Sequence, residues 1–310
     1  MIKTVTLNPA VDKTVEINDF KVGEVNRISS IRLDAGGKGI NVAKTIKALG
    51  GSSIATGFLA GRNGDYIENC LNRMQVSNEF LFVNGETRTN LKVVDQLNQT
   101  NTDINEPGLI EVTEEDLYRL ENKIFSDMSK DDILILSGSV PSNVPVGIYR
   151  DWTERANKLG IRVLLDADRE HLEEGIKARP YLVKPNITEL EILLNKKLND
   201  RNEIISAGHS LLDMGIKMVV ISLGADGAFF LNGEHVIYAE GLKVEVRSTV
   251  GAGDAMVAAL AFAIDQGDSF EKTVALSVAA GTAAVASEGS QPPDLKAVLQ
   301  YEAKVQLKHL

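Results

Sequence analysis

Two hydrophobic periods run through this chain and change over in a regular order. The short apolar runs at 2–7, 133–136, 162–166, 181–183 and 218–222 have the length and β-branched content of buried strands. Between them, apolar residues recur every three or four positions over 114–125, 146–159, 188–194 and 203–214, which predicts helices, the first capped by Thr113. Met256, Val257, Leu260, Ala261 and Ile264 predict a further helix over 253–266, followed by a small-residue helix at 274–286 and a terminal helix from Asp294. Strands alternating with helices imply an α/β fold with a mostly parallel sheet covered by helices.

The first third of the chain breaks this rhythm. A strand at 53–58, a helix at 64–74 and a strand at 80–83 fit the alternation, but the β-like runs 14–17 and 27–31 do not, and they read as strands outside the main sheet. Residues 87–94 alternate polar and apolar as a half-exposed strand does, which puts Arg88 and Asn90 on one face. The Asn- and Thr-rich stretch 96–106 reads as a loop, and 228–239 as a hairpin.

With 310 residues, 44% apolar and 25% charged, the chain can bury a large core as one domain with at most an appendage. A net charge of −10 argues against nucleic acid or an anionic membrane as partner, so an anionic substrate has to be held by a few placed cations. Cys70 is the only cysteine, which excludes an internal disulfide or a cysteine metal cluster. His171, His209, His235 and His309 lack metal-ligand spacing, and no Gly-x-Ser-x-Gly elbow occurs. The first apolar run is too short for a signal peptide, so a cytoplasmic location is expected.

Candidate chemistry sits where small residues meet helix starts. Ser248-Thr249-Val250-Gly251-Ala252-Gly253-Asp254 opens the 253–266 helix, whose first N–H groups have no partner within it. That is a place for an anion, and equally the place for Asp254 to cap a core helix. Ala35-Gly36-Gly37-Lys38-Gly39-Ile40-Asn41 opens a second helix, which ends at Leu49-Gly50-Gly51; it lacks Walker spacing, and is either a ligand loop or a turn bearing a solvated lysine. The runs Asn8-Pro9 (closely followed by Asp12), Ser137-Gly138-Ser139, Asp166, Lys184-Pro185-Asn186 and Ser222 to Gly227 all follow strands. They open on one edge of the sheet, where α/β proteins bind ligands.

Taken together, Asn8 to Asp12, Gly36 to Asn41, Lys184-Pro185-Asn186-Ile187-Thr188-Glu189, Ser222 to Gly227 and Gly251 to Asp254 resemble the ribokinase-like sugar kinases of the phosphofructokinase B family, from residue 2 to about 295. The lysine of Gly-Gly-Lys-Gly and the run Thr87-Arg88-Thr89-Asn90 resemble its hexose-phosphate branch, above all the kinases of fructose 1-phosphate. The resemblance implies one kinase domain over 1–310. Lid strands would come from about 12–34 and 86–106, and a homodimer would form through that lid. It implies ATP as donor, Mg2+, and a sugar-phosphate acceptor, and leaves open a monovalent cation.

Residue by residue, the resemblance makes Asp254 the base, with Gly251, Ala252 and Gly253 as its anion hole. Asp12, Gly36, Gly37, Asn41 and Asn90 fall to the acceptor sugar, as do Ser137 and Ser139, for which a turn role is as good. Lys38, Arg88 and, more weakly, Arg27 fall to the acceptor's phosphate. Lys184, Asn186, Ser222, Gly224 and Gly227 fall to ATP, Gly281 and the turn 287–290 to adenine, and Glu189 to Mg2+ through water. Met256 after Ala255, and Asp166-Ala167-Asp168, depart from the family's usual residues and leave any contact at the latter undefined. Tagatose 6-phosphate and fructose 6-phosphate are the alternative acceptors, although Lys38 stands where minor fructose 6-phosphate kinases carry glycine. A sensor that had lost turnover is the alternative outside catalysis.

Overall fold

The structure, a computed structural model, describes residues 1–310. Its centre is an 11-stranded sheet. Leu182–Val183, Arg162–Asp166, Ile133–Ser137, Ile2–Thr6 and Ile54–Leu59 run parallel beside Met218–Ser222, and Ala228–Asn232, Val236–Ala239 and Leu307–His309 extend it antiparallel. The strand Ile133–Ser137 is apolar on both faces from Ile133 to Leu136 because helices cover both. Leu134 and Leu136 enter one core cluster with Trp152 and Tyr149, while Ile133 and Ile135 enter the other with Val257 and Leu260, as the period of two requires. The helices Ala252–Gln266 and Phe270–Val285 approach closely through facing alanines, among them Ala255, Ala259, Ala279 and Ala283.

A second, four-stranded sheet stands apart, in the order Ile28–Gly36, Ala10–Ile17, Arg88–Asp95, Thr100–Asn105. Its register sorts the side chains by face. Asp34, Asp12, Asn90 and Asn105 form one transverse row, and Leu33, Lys13, Leu91 and Ile104 the next, on opposite sides. One face is therefore polar toward the end where the main sheet begins, and the other is largely apolar.

Three expectations need correcting. The Asn- and Thr-rich stretch is not all loop: Thr100–Asn105 is the outer strand of the small sheet, joined to Arg88–Asp95 by a tight turn. That turn forms because the Asp95 carboxylate accepts the backbone N–H groups of Leu97 and Asn98, and Gln99 takes the left-handed conformation (φ 51°). Asp12 lies inside the second strand, not at the end of the first. The helix Arg169–Ile176 was not foreseen, its apolar stripe being only Leu172 and Ile176 among charges.

Candidate active site

The carboxyl ends of the central strands place the chemistry. Ser137 pairs in register with Asp166, Leu165 with Val183 just before Lys184, and Asn186 bridges to Ser222. Against this edge the helix Ala252–Gln266 begins. Gly251 turns into it with φ 82°, a conformation open to glycine, and the first turn carries Ala252, Gly253 and Asp254. Asp254 is 7% exposed and accepts a hydrogen bond from Asn41 Nδ2 at 2.9 Å. Burial, with the charge of Asp166 next in size, pushes its carboxyl up to about 6, against the pull of Lys38, Asn41 and Lys184. An isolated cap would not need this burial; a proton acceptor working near neutrality does.

Asp166 is the residue the sequence did not resolve. Its Oδ1 lies 3.3 Å from Lys184 Nζ and 3.4 Å from Lys38 Nζ, so one buried carboxylate holds two ammonium groups. Burial pushes the Asp166 carboxyl up, but Lys184 and Lys38 outweigh it and hold the group below its ordinary range. For Lys38 burial works against the charged form, and Asp166, Asp254, Glu189 and Asp168 more than restore it. A Cβ on Gly253 would come within 3.3 Å of Lys184 Nζ, so a bare backbone here keeps that lysine against the helix start. Lys38 was expected beside Arg88 on the acceptor's phosphate. In the structure it is paired with Asp166, because its helix begins directly across from the strand end that carries Asp166.

Asn186 and Glu189 form a reciprocal cap on the helix Ile187–Leu194: Glu189 N–H donates to Asn186 Oδ1 at 2.9 Å, and Asn186 N–H to Glu189 Oε2 at 2.8 Å. Burial pushes the Glu189 carboxyl up. One of its oxygens is thus engaged and the other free. Asp166 Oδ1 accepts no hydrogen bond meeting normal geometry, and no three carboxylate, histidine or thiol groups are gathered into a cage. This donor set fits Mg2+, which is usually carried by phosphates and water with one or two carboxylates.

On the opposite wall Asp12 accepts from Asn90 Nδ2 at 3.0 Å, and its Oδ2 lies 2.2 Å from where a Cβ on Gly36 would be. Gly36 is glycine so that this carboxylate can press on the backbone. Gly37, at φ 119°, packs on Thr6 and Pro9. Burial pushes the Asp12 carboxyl up. Arg88 donates to the carbonyls of Glu106 (3.3 Å) and Asn8 (3.4 Å), and Asn8 Nδ2 to Ser139 Oγ (3.3 Å). Tyr149 Oη lies 3.2 Å from the carbonyls of both Ser137 and Gly138 and fixes that loop beside the Lys38 stem. Of the nine buried side-chain polar atoms without a hydrogen-bond partner, five belong to cleft residues and lack an ion-pair partner as well: Asn41 Oδ1, Arg88 Nε, Asn90 Oδ1, Ser137 Oγ and Ser290 Oγ. Unpaired buried polar atoms are costly, so their gathering in one place marks where a polar ligand completes the structure.

At the same edge of the sheet, Ser222 is followed by the tight turn Gly224–Asp226, with Gly224 at φ 62° and Gly227 at φ 99°. One assigned residue, Arg27, stands away from these groups. Arg27 is exposed and precedes the lid strand Ile28–Gly36, so about nine residues at roughly 3.3 Å each separate it from Gly36. Gly281 is buried where a Cβ would meet Met256 Cγ at 2.8 Å and the Ala252 carbonyl at 3.4 Å, so it packs against the first turn of the helix Ala252–Gln266. The turn after Val285, expected near adenine, also meets the lid: Arg32 Nη1 lies 2.9 Å from Glu288.

A helix start shaped for an anion, a buried carboxylate within it and a polar lid over the edge of a mostly parallel sheet define a ribokinase-like phosphotransferase. Residues 5–297 match the pfkB family carbohydrate kinases, and the chain belongs to that family. It is 38% identical over 307 residues, 99% of this chain and 98% of the relative, to the 1-phosphofructokinase of Escherichia coli (strain K12). It is 36% identical over 286 residues, 91% of each, to the 1-phosphofructokinase of Borreliella burgdorferi. Phosphofructokinase-2 from Escherichia coli, solved with substrates and products, superimposes with a TM-score of 0.94 at 30% identity over 98% of both chains. The protein is an ATP-dependent sugar-phosphate kinase that transfers a phosphoryl group to an alcohol. No helix is long and apolar enough to cross a membrane.

Proposed function

We propose that the acceptor is fructose 1-phosphate and the product fructose 1,6-bisphosphate. The observation that supports this is the match over nearly the whole chain to proteins named 1-phosphofructokinase. Asp254 takes the proton of the attacking sugar hydroxyl while the N–H groups of Gly251, Ala252 and Gly253 face the developing charge, the preorganised arrangement phosphoryl transfer needs. Asp12, Asn90 and Asn41 bind the sugar's other hydroxyls, and Gly36 and Gly37 leave room for it. Arg88, whose Nε is buried without a partner, takes the acceptor's phosphate with Ser139 beside it. Lys38 and Lys184, paired with Asp166, neutralise the phosphoryl group in transit. Ser222, Gly224, Gly227 and Asn186 lie along ATP. Glu189, with Asp166 nearby, would hold Mg2+ through water, and the ion would supply charge screening to the phosphates.

Two further parts belong to this reading. The apolar lid face, with Ile31 58% and Leu33 43% exposed, is covered by a second copy in a homodimer, and Arg27 reaches an acceptor only across that interface. Phosphofructokinase-2 has been solved with potassium and as a tetrameric inhibited form, so a potassium titration and sedimentation complete the assay set. A cytoplasmic site of action belongs to the same reading.

Steady-state kinetics with Mg-ATP and, in parallel, fructose 1-phosphate, tagatose 6-phosphate and fructose 6-phosphate test the assignment. The highest kcat/KM is expected with fructose 1-phosphate; preference for either other sugar refutes the acceptor and leaves the kinase.

A further inference from the structure

Lys44 is a charged side chain that none of these steps uses. It lies one turn beyond Asn41 on the helix Lys38–Ala48 and is 3% exposed. Its Nζ donates to the carbonyls of Ala35 (2.6 Å) and Ser290 (2.8 Å) and forms no direct ion pair. Burial pulls its pKa down, and the carboxylates of Asp12, Asp34 and Asp254 oppose this from a distance. An ammonium held dry by two carbonyls is a poor way to build a core, and an apolar side chain of its length would fill the same space.

Its two carbonyl partners connect separate walls of the cleft. Ala35 precedes Gly36, on whose backbone Asp12 presses. Ser290 belongs to the turn after Val285, is 4% exposed, and has its hydroxyl buried without a normal partner beside Asp12. That turn is clamped to the lid: Arg32 Nε bonds Asp34 at 3.0 Å and Arg32 Nη1 bonds Glu288 at 2.9 Å, and Gln291 donates to Asp34. Behind it, the carbonyl of Val285 accepts the N–H groups of Arg247 and Ser248, just ahead of Gly251. Lid base, acceptor carboxylate and anion-hole loop thus meet around one ammonium.

We propose that Lys44 is a positioning residue for the acceptor, fixing Asp12 through the Ala35–Gly36 backbone and presenting the Ser290 hydroxyl as a further contact to the sugar. The proposal rests on the kinase reading, in which Asp12 faces the acceptor. Asp12 is faced by Lys44 from the helix, Asp34, Arg88 and Asn90 from the lid strands, and Ser290 from the turn. Lys44 and Asn90 favour its carboxylate form, while burial and Asp34 oppose it. Removing the ammonium therefore makes Asp12 hold its proton to higher pH.

The test uses the full-length enzyme and the variants Lys44→Met, Lys44→Arg and Ser290→Ala, with acceptor and ATP KM measured between pH 5.5 and 8.5. Lys44→Met should raise acceptor KM at least tenfold while ATP KM stays within about twofold, and the acid limb of acceptor kcat/KM should move upward; Lys44→Arg should recover most of both. Ser290→Ala, which keeps the carbonyl that Lys44 binds, should raise acceptor KM severalfold, and it decides the matter if Lys44→Met does not fold. A Lys44→Met enzyme that is less stable yet keeps the wild-type acceptor KM and acid limb overturns the proposal, as does an unchanged acceptor KM in Ser290→Ala. Wild-type turnover is measured alongside on all three sugar phosphates. Its absence on fructose 1-phosphate counts against that acceptor alone, because the Lys44 comparison is made on whichever sugar turns over.

Discussion

Replacing Asp254 by asparagine separates what the carboxylate does for chemistry from what it does to stability. The side chain is buried, and its pKa is lifted from 3.8 to about 6. At about 1.4 kcal/mol per unit, ionising it in the folded protein is roughly 3 kcal/mol harder than in the unfolded chain. The folded state keeps its proton between pH 3.8 and 6 while the unfolded state has lost it, so this group's contribution to stability falls as pH rises through that window and stays low above it. Asparagine keeps the shape and can still accept from Asn41, but has no such slope. Asp254→Asn should therefore melt several degrees above wild type at pH 8 and near it at pH 4.5, read by calorimetry. Turnover should drop by roughly a thousandfold with ATP and acceptor KM little changed, since a positioned base contributes about 10²–10⁴. Wild-type kcat/KM should fall below an acid limb near pH 6. Turnover within tenfold of wild type, or a stability advantage of the variant over wild type that is no larger at pH 8 than at pH 4.5, would refute the reasoning.

Other substitutions divide the cleft. Arg88→Ala should raise acceptor KM by roughly ten- to a hundredfold and leave ATP KM alone if its guanidinium, whose Nε is buried without a partner, takes the acceptor's phosphate; equal effects on both substrates count against the placement. Lys38→Met should lower kcat by about a hundredfold, more than it raises acceptor KM, because its partner is Asp166; the opposite split returns it to the acceptor's phosphate. Gly36→Ala puts a methyl 2.2 Å from Asp12 Oδ2 and should cut acceptor kcat/KM at least tenfold with ATP KM unchanged, an intact acceptor kcat/KM showing that Asp12 can move aside. Ile31→Asp on the 58%-exposed lid position should give a monomer by sedimentation velocity; an unchanged dimer places the interface elsewhere.

Much of this was written in local pattern. The run Ile133 to Leu136 is apolar throughout because both faces of its strand are covered, and Thr113 with Asp116 closes the reciprocal cap that starts the helix Glu114–Phe125. The helix-opening glycines, and the carboxylate in the first turn at Asp254, follow from neighbours within a few residues. A sequence shows such features directly because the forces that set them act over a few residues of chain.

What the sequence left open depended on residues far apart meeting. Asn41 reaches Asp254 across 213 positions and Lys44 reaches Ser290 across 246. Asp166, set apart only by an unusual neighbour, became central because two lysines from separate elements converge on it. Strand 100–105 has no apolar alternation of its own and exists because Arg88–Asp95 supplies its hydrogen bonds. Arg27 shares a motif neighbourhood with the site yet lies at the far end of a straight strand. Local preference fixed the elements and their polar ends; distance, burial and shared charge, which only the packed chain supplies, decided which of those ends form one site.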